Sequence, residues 1–172
     1  GIRALADFDF SKAEVIVSVG ADFLGDWQGG GFDSSYAKGR IPSEGKMSQH
    51  FQFEANMSLT GANSDIRIPT TPSQQKQVVK ALTGGSTSGL PESVVAAISS
   101  AKAALQKAGD KGVIITGLPD VSAQSSILSY NESVSSVVMS TEKPKLIRKG
   151  NSREVTNVIN DVINGDVKGL IS

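Results

Sequence analysis

The stretch EVIVSVGA at 14–21 most narrows what this chain can form. It is a short, mostly β-branched run that ends at Gly20, with no polar face alternating through it. A strand of that kind is buried on both sides, and strands buried on both sides belong to parallel sheets. GVIITG at 112–117 repeats the pattern, and so does KGLIS at 168–172. HFQFE at 50–54 and DIRIPT at 65–70 alternate apolar and polar residues through Phe51, Phe53, Ile66 and Ile68. SVVMS at 136–140 is a weaker strand pattern.

Helical patterns lie between these runs. Over 91–108, Val94, Val95, Ile98, Ala101 and Leu105 repeat every three or four residues, the spacing of one helix face. Pro91 suits the first turn and Gly109 the exit. Over 152–164, Val155, Val158, Ile159, Val162 and Ile163 do the same, from Ser152 as a simple cap to Gly165. Shorter helices are predicted at 73–82 and at 120–130, the latter capped by Asp120 or Ser122. Strands alternating with helices predict an α/β domain with a mostly parallel sheet of four to six strands and helices on both faces. Two glycine- and serine-rich stretches interrupt the pattern, DWQGGGF at 26–32 and TGGSTSG at 83–89. Residues 26–47 and 83–90 are expected to be the most mobile.

Composition limits the chemistry. The 172 residues are enough for one domain with a real core. Seventeen basic and seventeen acidic side chains leave no net charge, so the basic footprint of a nucleic-acid binder is missing. No apolar run reaches membrane-spanning length, and the start, GIRALADFDF, has acids where a secretion signal carries basic residues. With no cysteine there is no thiolate nucleophile, Cys-ligated zinc or iron–sulfur ligation within these residues. His50 is the lone histidine, with Glu44 and Glu54 only loosely nearby. A hydrogen-bonded or surface role is expected for it rather than a metal or acid–base role. No G-x-S-x-G elbow occurs, which argues against a serine hydrolase.

The places where open α/β sheets collect ligands are the loops beyond the carboxyl ends of strands. Here those are Val19-Gly20-Ala21-Asp22 and Gly117-Leu118-Pro119-Asp120. Glycines there let backbone N–H groups approach a phosphate, but the glycines at 20, 25, 29, 30 and 31 do not make G-x-G-x-x-G. Asp22 and Asp26 would repel a phosphate. Tight turns, with Asp120 as a helix cap, are the simpler account of both junctions. Trp27, beside three glycines, suits a contact anchor and a core lid equally.

A family resemblance adds to this reading. DFDFSKAEVIVSVGADFLGDW, followed by MSQHFQFEANMSLTGANSDIRIPTTPSQQ, resembles the molybdopterin oxidoreductase superfamily, and within it the iron–sulfur B subunits of bacterial alternative complex III. KGVIITGLPDVSAQ resembles that family's next strand-turn-helix, and REVTNVINDVINGDVKGLIS its later helix and strand. The likeness runs along nearly the whole chain, though 83–110 and 140–150 match only in pattern.

The resemblance implies a Rossmann-like three-layer domain that binds one guanine dinucleotide arm of a molybdopterin cofactor in active relatives. Gly20, Ala21, Asp22 and Gly117 are then its vestigial cofactor-binding positions. Where relatives carry an Asn-Pro turn, this chain reads Gly20-Ala21-Asp22-Phe23; where they carry P-G-T-D, it reads Pro72-Ser73-Gln74-Gln75. Both departures imply a lost cofactor and no catalytic residue in this segment. The chain is thus expected to be a single domain, 1–172, excised from a longer subunit that carries its iron–sulfur clusters elsewhere. Its role would be that of a non-catalytic scaffold in a quinol-oxidising respiratory complex at the periplasmic face of the inner membrane. Its partners would be other domains of the same subunit and the membrane-complex subunits, without nucleic acid or direct membrane insertion. Two other readings stay open: the dinucleotide-binding domain of an active molybdenum oxidoreductase, and a stand-alone α/β module for an unrelated small ligand.

Overall fold

The computed structural model describes residues 4–42, 46–146, 152–167 and 169. The chain divides into two units, Gly1–Leu5 with Lys145–Ser172, and Ala6–Pro144. The elements in chain order are β1 (Ala4–Phe8), β2 (Val15–Val19), α1 (Asp33–Gly39), β3 (Gln49–Glu54), α2 (Leu59–Ala62) and β4 (Ile66–Pro69). After these come α3 (Pro72–Leu82), α4 (Glu92–Ala108), β5 (Gly112–Thr116), α5 (Val121–Ser133), β6 (Met139–Leu146) and α6 (Ser152–Ile163). Single 3-10 turns occur at Phe10–Lys12, Trp27–Gly29 and Gly109–Lys111.

The fold is mixed α/β. Four strands form an all-parallel sheet in the order β4-β3-β2-β5, and β1 pairs with β6 in a separate two-stranded sheet. Val17 sits level with Phe51 on one side and Ile114 on the other, and Phe51 level with Ile66. Side chains alternate across a strand, so this register puts Val15, Val17, Val19, Phe51, Phe53, Ile68 and Ile114 in one hydrophobic cluster. Val78, Val79 and Leu82 of α3, Val94, Ile98, Ala101 and Leu105 of α4, and Ala123 and Ile127 of α5 complete that cluster. The apolar stripe predicted for 91–108 is thus the face that α4 buries. Burying a side chain of this size contributes about 1.5–3 kcal/mol before the entropic cost of ordering it.

The opposite cluster gathers Ile16, Val113 and Ile115 with Phe8, Phe10, Phe23, Phe32, Tyr36 and Val138. Phe8 and Phe10 stack at 6.0 Å between centroids, while other rings meet edge-on or tilted: Phe10 and Phe23 are 4.5 Å apart, Phe10 and Phe32 5.6 Å, and Phe23 and Tyr36 5.4 Å. Such pairs add to plain area burial. Part of 26–47, expected from the sequence to be mobile, belongs to this cluster. Phe32 and Tyr36 are buried, and α1 runs through the stretch.

Two smaller corrections concern element ends. The helix expected at 73–82 begins at Pro72, because Thr71 caps it with Gln74 in a reciprocal capping box. The strand expected at 136–140 begins at Met139, continues to Leu146 and pairs with β1 rather than joining the parallel sheet. Asp120 caps α5 as expected, accepting from the Ala123 N–H at 2.8 Å. The strand expected at 168–172 lies outside the described residues apart from Gly169. In the smaller unit, α6 carries Val155, Val158, Ile159, Val162 and Ile163, each between 43% and 76% exposed.

The outer edge of β5 is closed by side chains. Asn131, fully buried, accepts from the Ile114 N–H at 3.0 Å and donates to the Ile114 carbonyl at 2.8 Å. Ser136 donates to the Gly112 carbonyl at 2.7 Å. The Thr116 carbonyl accepts from Trp27 Nε1 at 3.2 Å and from Gln124 Nε2 at 3.1 Å. Together these occupy the positions that a further strand would use.

Candidate functional site

Strand order reverses between β2 and β5: β3 and β4 lie on one side of β2, and the chain then returns to place β5 on the other. Ligands of open α/β sheets sit outside the carboxyl ends of the strands at such a point. The structure brings together there the four residues the sequence singled out, Gly20, Ala21, Asp22 and Gly117.

Gly20 follows β2 with φ +66° and donates its N–H to the Phe53 carbonyl at 2.8 Å. Gly117 follows β5 and donates to the Val19 carbonyl at 3.0 Å. The two glycines approach so closely that a Cβ on Gly117 would lie 2.1 Å from the Gly20 carbonyl oxygen. A Cβ on Gly20 would lie 2.7 Å from Gln75 Oε1, on the first turn of α3. Thr116 Oγ1 adds a bond to the Val19 carbonyl at 2.9 Å. Gly117 therefore serves a close backbone approach, while Gly20 takes a positive φ beside the Gln75 side chain.

Ala21 is fully buried, and its carbonyl accepts from Ser18 Oγ at 3.1 Å. Asp22 is engaged by α2. Its Oδ1 accepts from the Thr60 N–H at 3.0 Å and from Thr60 Oγ1 at 2.6 Å, and Thr60 Oγ1 in turn accepts from the Leu24 N–H at 2.9 Å. The Asp22 carbonyl accepts from Gly25 and Trp27. The Asp22 carboxylate thus ties the segment after β2 to α2. Trp27 caps the core: its ring lies 5.6 Å from Phe8 and 5.5 Å from Phe32, while Nε1 reaches the end of β5.

Pro72-Ser73-Gln74-Gln75 forms the first turn of α3, with Gln74 in the capping box and Gln75 turned toward Gly20. These residues do not fit a dinucleotide arm. Asp22 offers acceptors where phosphate needs donors, and the space beside Gly20 is taken by Gln75 and Gly117. Among the described residues no group of three or more His, Asp or Glu is placed to hold a metal ion. Nor is any helix among them long and apolar enough to cross a membrane.

A second polar arrangement was not visible in the sequence. On β3, His50, Gln52 and Glu54 alternate toward the same side, and all are buried. The Tyr36 hydroxyl lies 2.9 Å from the Asn63 carbonyl and 3.1 Å from His50 Nδ1. His50 Nε2 lies 3.3 Å from Gln52 Oε1. Gln52 Nε2 donates to Glu54 at 3.1 Å, and Glu54 also accepts from Ser58 Oγ and Arg67 Nε, each at 2.6 Å.

Burial pushes the His50 imidazole down from its ordinary 6.5 to about 4, although the hydrogen bond to Gln52 works to raise it. Burial also works to raise the Glu54 carboxyl, but Ser58, Arg67 and Gln52 together hold it below its ordinary value. Asp65 behaves likewise: Arg40 and the His50 N–H outweigh its burial. The unfolded chain takes up the His50 proton near pH 6.5, and the native chain resists until about pH 4. Between those values the unfolded state holds more protons, so stability is complete above pH 6.5 and is lost as pH falls. At about 1.4 kcal/mol per unit the loss reaches about 3 kcal/mol. Below the ordinary carboxylate values, Glu54 and Asp65 add to it in the same direction. Urea unfolding from pH 7.5 to 4.5 should show a falling midpoint that His50→Gln flattens; a parallel decline in that variant would refute the assignment.

No protein-family model matches the chain, and no curated protein matches it.

Proposed function

We propose that the chain is a Rossmann-like, three-layer domain of the molybdopterin oxidoreductase type that has lost its cofactor grip. In this reading it is a non-catalytic scaffold and docking domain of a respiratory quinol-oxidising subunit at the periplasmic face of a bacterial inner membrane. Iron–sulfur clusters elsewhere in that subunit carry the electrons, and the partners are its own further domains and the neighbouring membrane-complex subunits. The observation that carries the reading is the close approach of the ends of β2 and β5. Gly117 lies against the Gly20 carbonyl, Asp22 is tied to Thr60, and Trp27 and Gln124 cover the end of β5. The motif likeness at 9–29 and 47–75 supports the family. The exposed aliphatic side of α6 supports a docking role.

The test is a calorimetric titration of the chain with GDP and with molybdopterin guanine dinucleotide. No saturable heat is expected at millimolar nucleotide. Micromolar binding that Asp22→Asn tightens would overturn the reading in favour of an active cofactor domain. Metal analysis of the full-length subunit should accordingly find iron without stoichiometric molybdenum.

A further inference from the structure

The chain has seven asparagines, and only Asn164 precedes a glycine. An Asn-Gly pair is where a backbone nitrogen reaches a side-chain amide most easily, because glycine puts no Cβ beside the attacking atom. Asn164 lies just past α6, is exposed, and is followed by Gly165 at φ +80°.

The backbone there closes α6. The Gly165 N–H donates to the Val162 carbonyl at 3.2 Å, and the Asp166 N–H to the Asp161 carbonyl at 2.9 Å. This paired pattern, with a glycine in the left-handed region, is a Schellman cap. While it is formed, the Gly165 nitrogen keeps its proton against Val162 and is a poor nucleophile. The cap is weakly held. Every side chain of α6 from Arg153 to Ile163 is exposed, so little packing supports its 12 residues. A helix that short is marginal in water without packing, and such segments open locally at small cost.

We propose that Asn164 is a deamidation site, reached through opening of the α6 cap. The freed Gly165 N–H gives its proton to a solvent base, and the nitrogen attacks Asn164 Cγ. The new N–Cγ bond closes a five-membered succinimide as the Cγ–Nδ2 bond breaks. Nδ2 takes a proton from water and leaves as ammonia. Water then opens the ring at one of its two carbonyls, leaving aspartate or isoaspartate, with nothing oxidised or reduced. Either product puts a carboxylate between Asp161 and Asp166, at the helix end whose carbonyls already disfavour negative charge. Isoaspartate also adds a backbone carbon where Gly165 and Asp166 must reach back to α6. Modification therefore unwinds the last turn of α6 and does not reverse. No residue at the ends of β2 and β5 takes part, so the proposal stands or falls separately from the proposed function.

The test is peptide mapping of the intact chain after ageing in warm, mildly alkaline buffer. The tryptic peptide 154–168 holds Asn157, Asn160 and Asn164 together. Amide loss should appear at Asn164, with an isoaspartate fraction that an isoaspartyl methyltransferase labels. At Asn157 and Asn160 it should be at least about tenfold slower. In the modified fraction the Val162 and Ile163 NMR signals should move toward coil values. Gly165→Ala places its Cβ in open space but at a φ that alanine resists, so it loosens the cap while hindering the attacking nitrogen. It should slow amide loss at Asn164 at least about tenfold. Asn157→Ala with Asn160→Ala, on exposed positions, strengthens the helix and should slow the same loss several-fold. Equal loss at the three asparagines, an undiminished rate in either variant, or unmoved Val162 and Ile163 signals would each overturn the proposal.

Discussion

Gly117→Ala should lower the stability of the chain by about 3 kcal/mol or more, at the upper end of what an inserted methyl costs. The new Cβ would lie 2.1 Å from the Gly20 carbonyl oxygen, 2.8 Å from its carbon and 3.0 Å from Ala21 Cα. All three are backbone atoms, so no side chain can turn aside to make room. Relief requires the ends of β2 and β5 to separate, which strains the bonds from Gly117 and Thr116 to the Val19 carbonyl. Urea unfolding at neutral pH should show the lower midpoint. Ser126→Ala, on the exposed side of α5, should stay within about 0.5 kcal/mol of the parent. A Gly117→Ala midpoint equal to that control would mean that the close approach is not a real constraint.

Asn131→Leu is expected to produce a loss of similar size by a different route. The shape is nearly kept, but the Ile114 N–H and C=O lose the partner that satisfies both. An orphaned buried backbone group costs about 1–3 kcal/mol, so the pair predicts about 3 kcal/mol in total. A second effect separates this change from simple loosening. The middle of the β5 edge becomes available to another strand, so the variant should self-associate with rising concentration on size-exclusion chromatography. Its Ile114 amide should also exchange with deuterium faster relative to global unfolding. Unchanged stability, or a destabilised variant with slow Ile114 exchange, would show that Asn131 does not guard the edge.

How much of this was readable in the sequence depends on where each signal lies. β2 and β5 were legible because both are bounded apolar runs, and β3 and β4 because Phe51, Phe53, Ile66 and Ile68 alternate. α4 was legible because its buried residues keep helical spacing over seventeen residues. β1 was not, since ALADF is short and carries an acid. α1 was not, since DSSYAKG buries only Tyr36. Gly20, Ala21, Asp22 and Gly117 were placed at strand ends by position, but their contacts were not legible. Gly117 needs its glycine because of the β2–β5 register, and Asp22 takes its role from Thr60, thirty-eight residues away. The row on β3 was hidden because Tyr36 and Arg67 reach His50 and Glu54 from separate elements.

The position of β2 inside the sheet has a consequence for how the chain acquires its structure. Its first neighbour, β3, follows within some tens of residues, but Thr116 and Val19 are bonded across ninety-seven. Until the ribosome has delivered β5, the most apolar strand in the protein has one side open, and Asn131 arrives later still. Closing so long a loop is slow relative to local helix formation, and exposed strand edges are what chaperones meet in such intermediates. Refolding should therefore be limited by the docking of β5, with α4 formed beforehand.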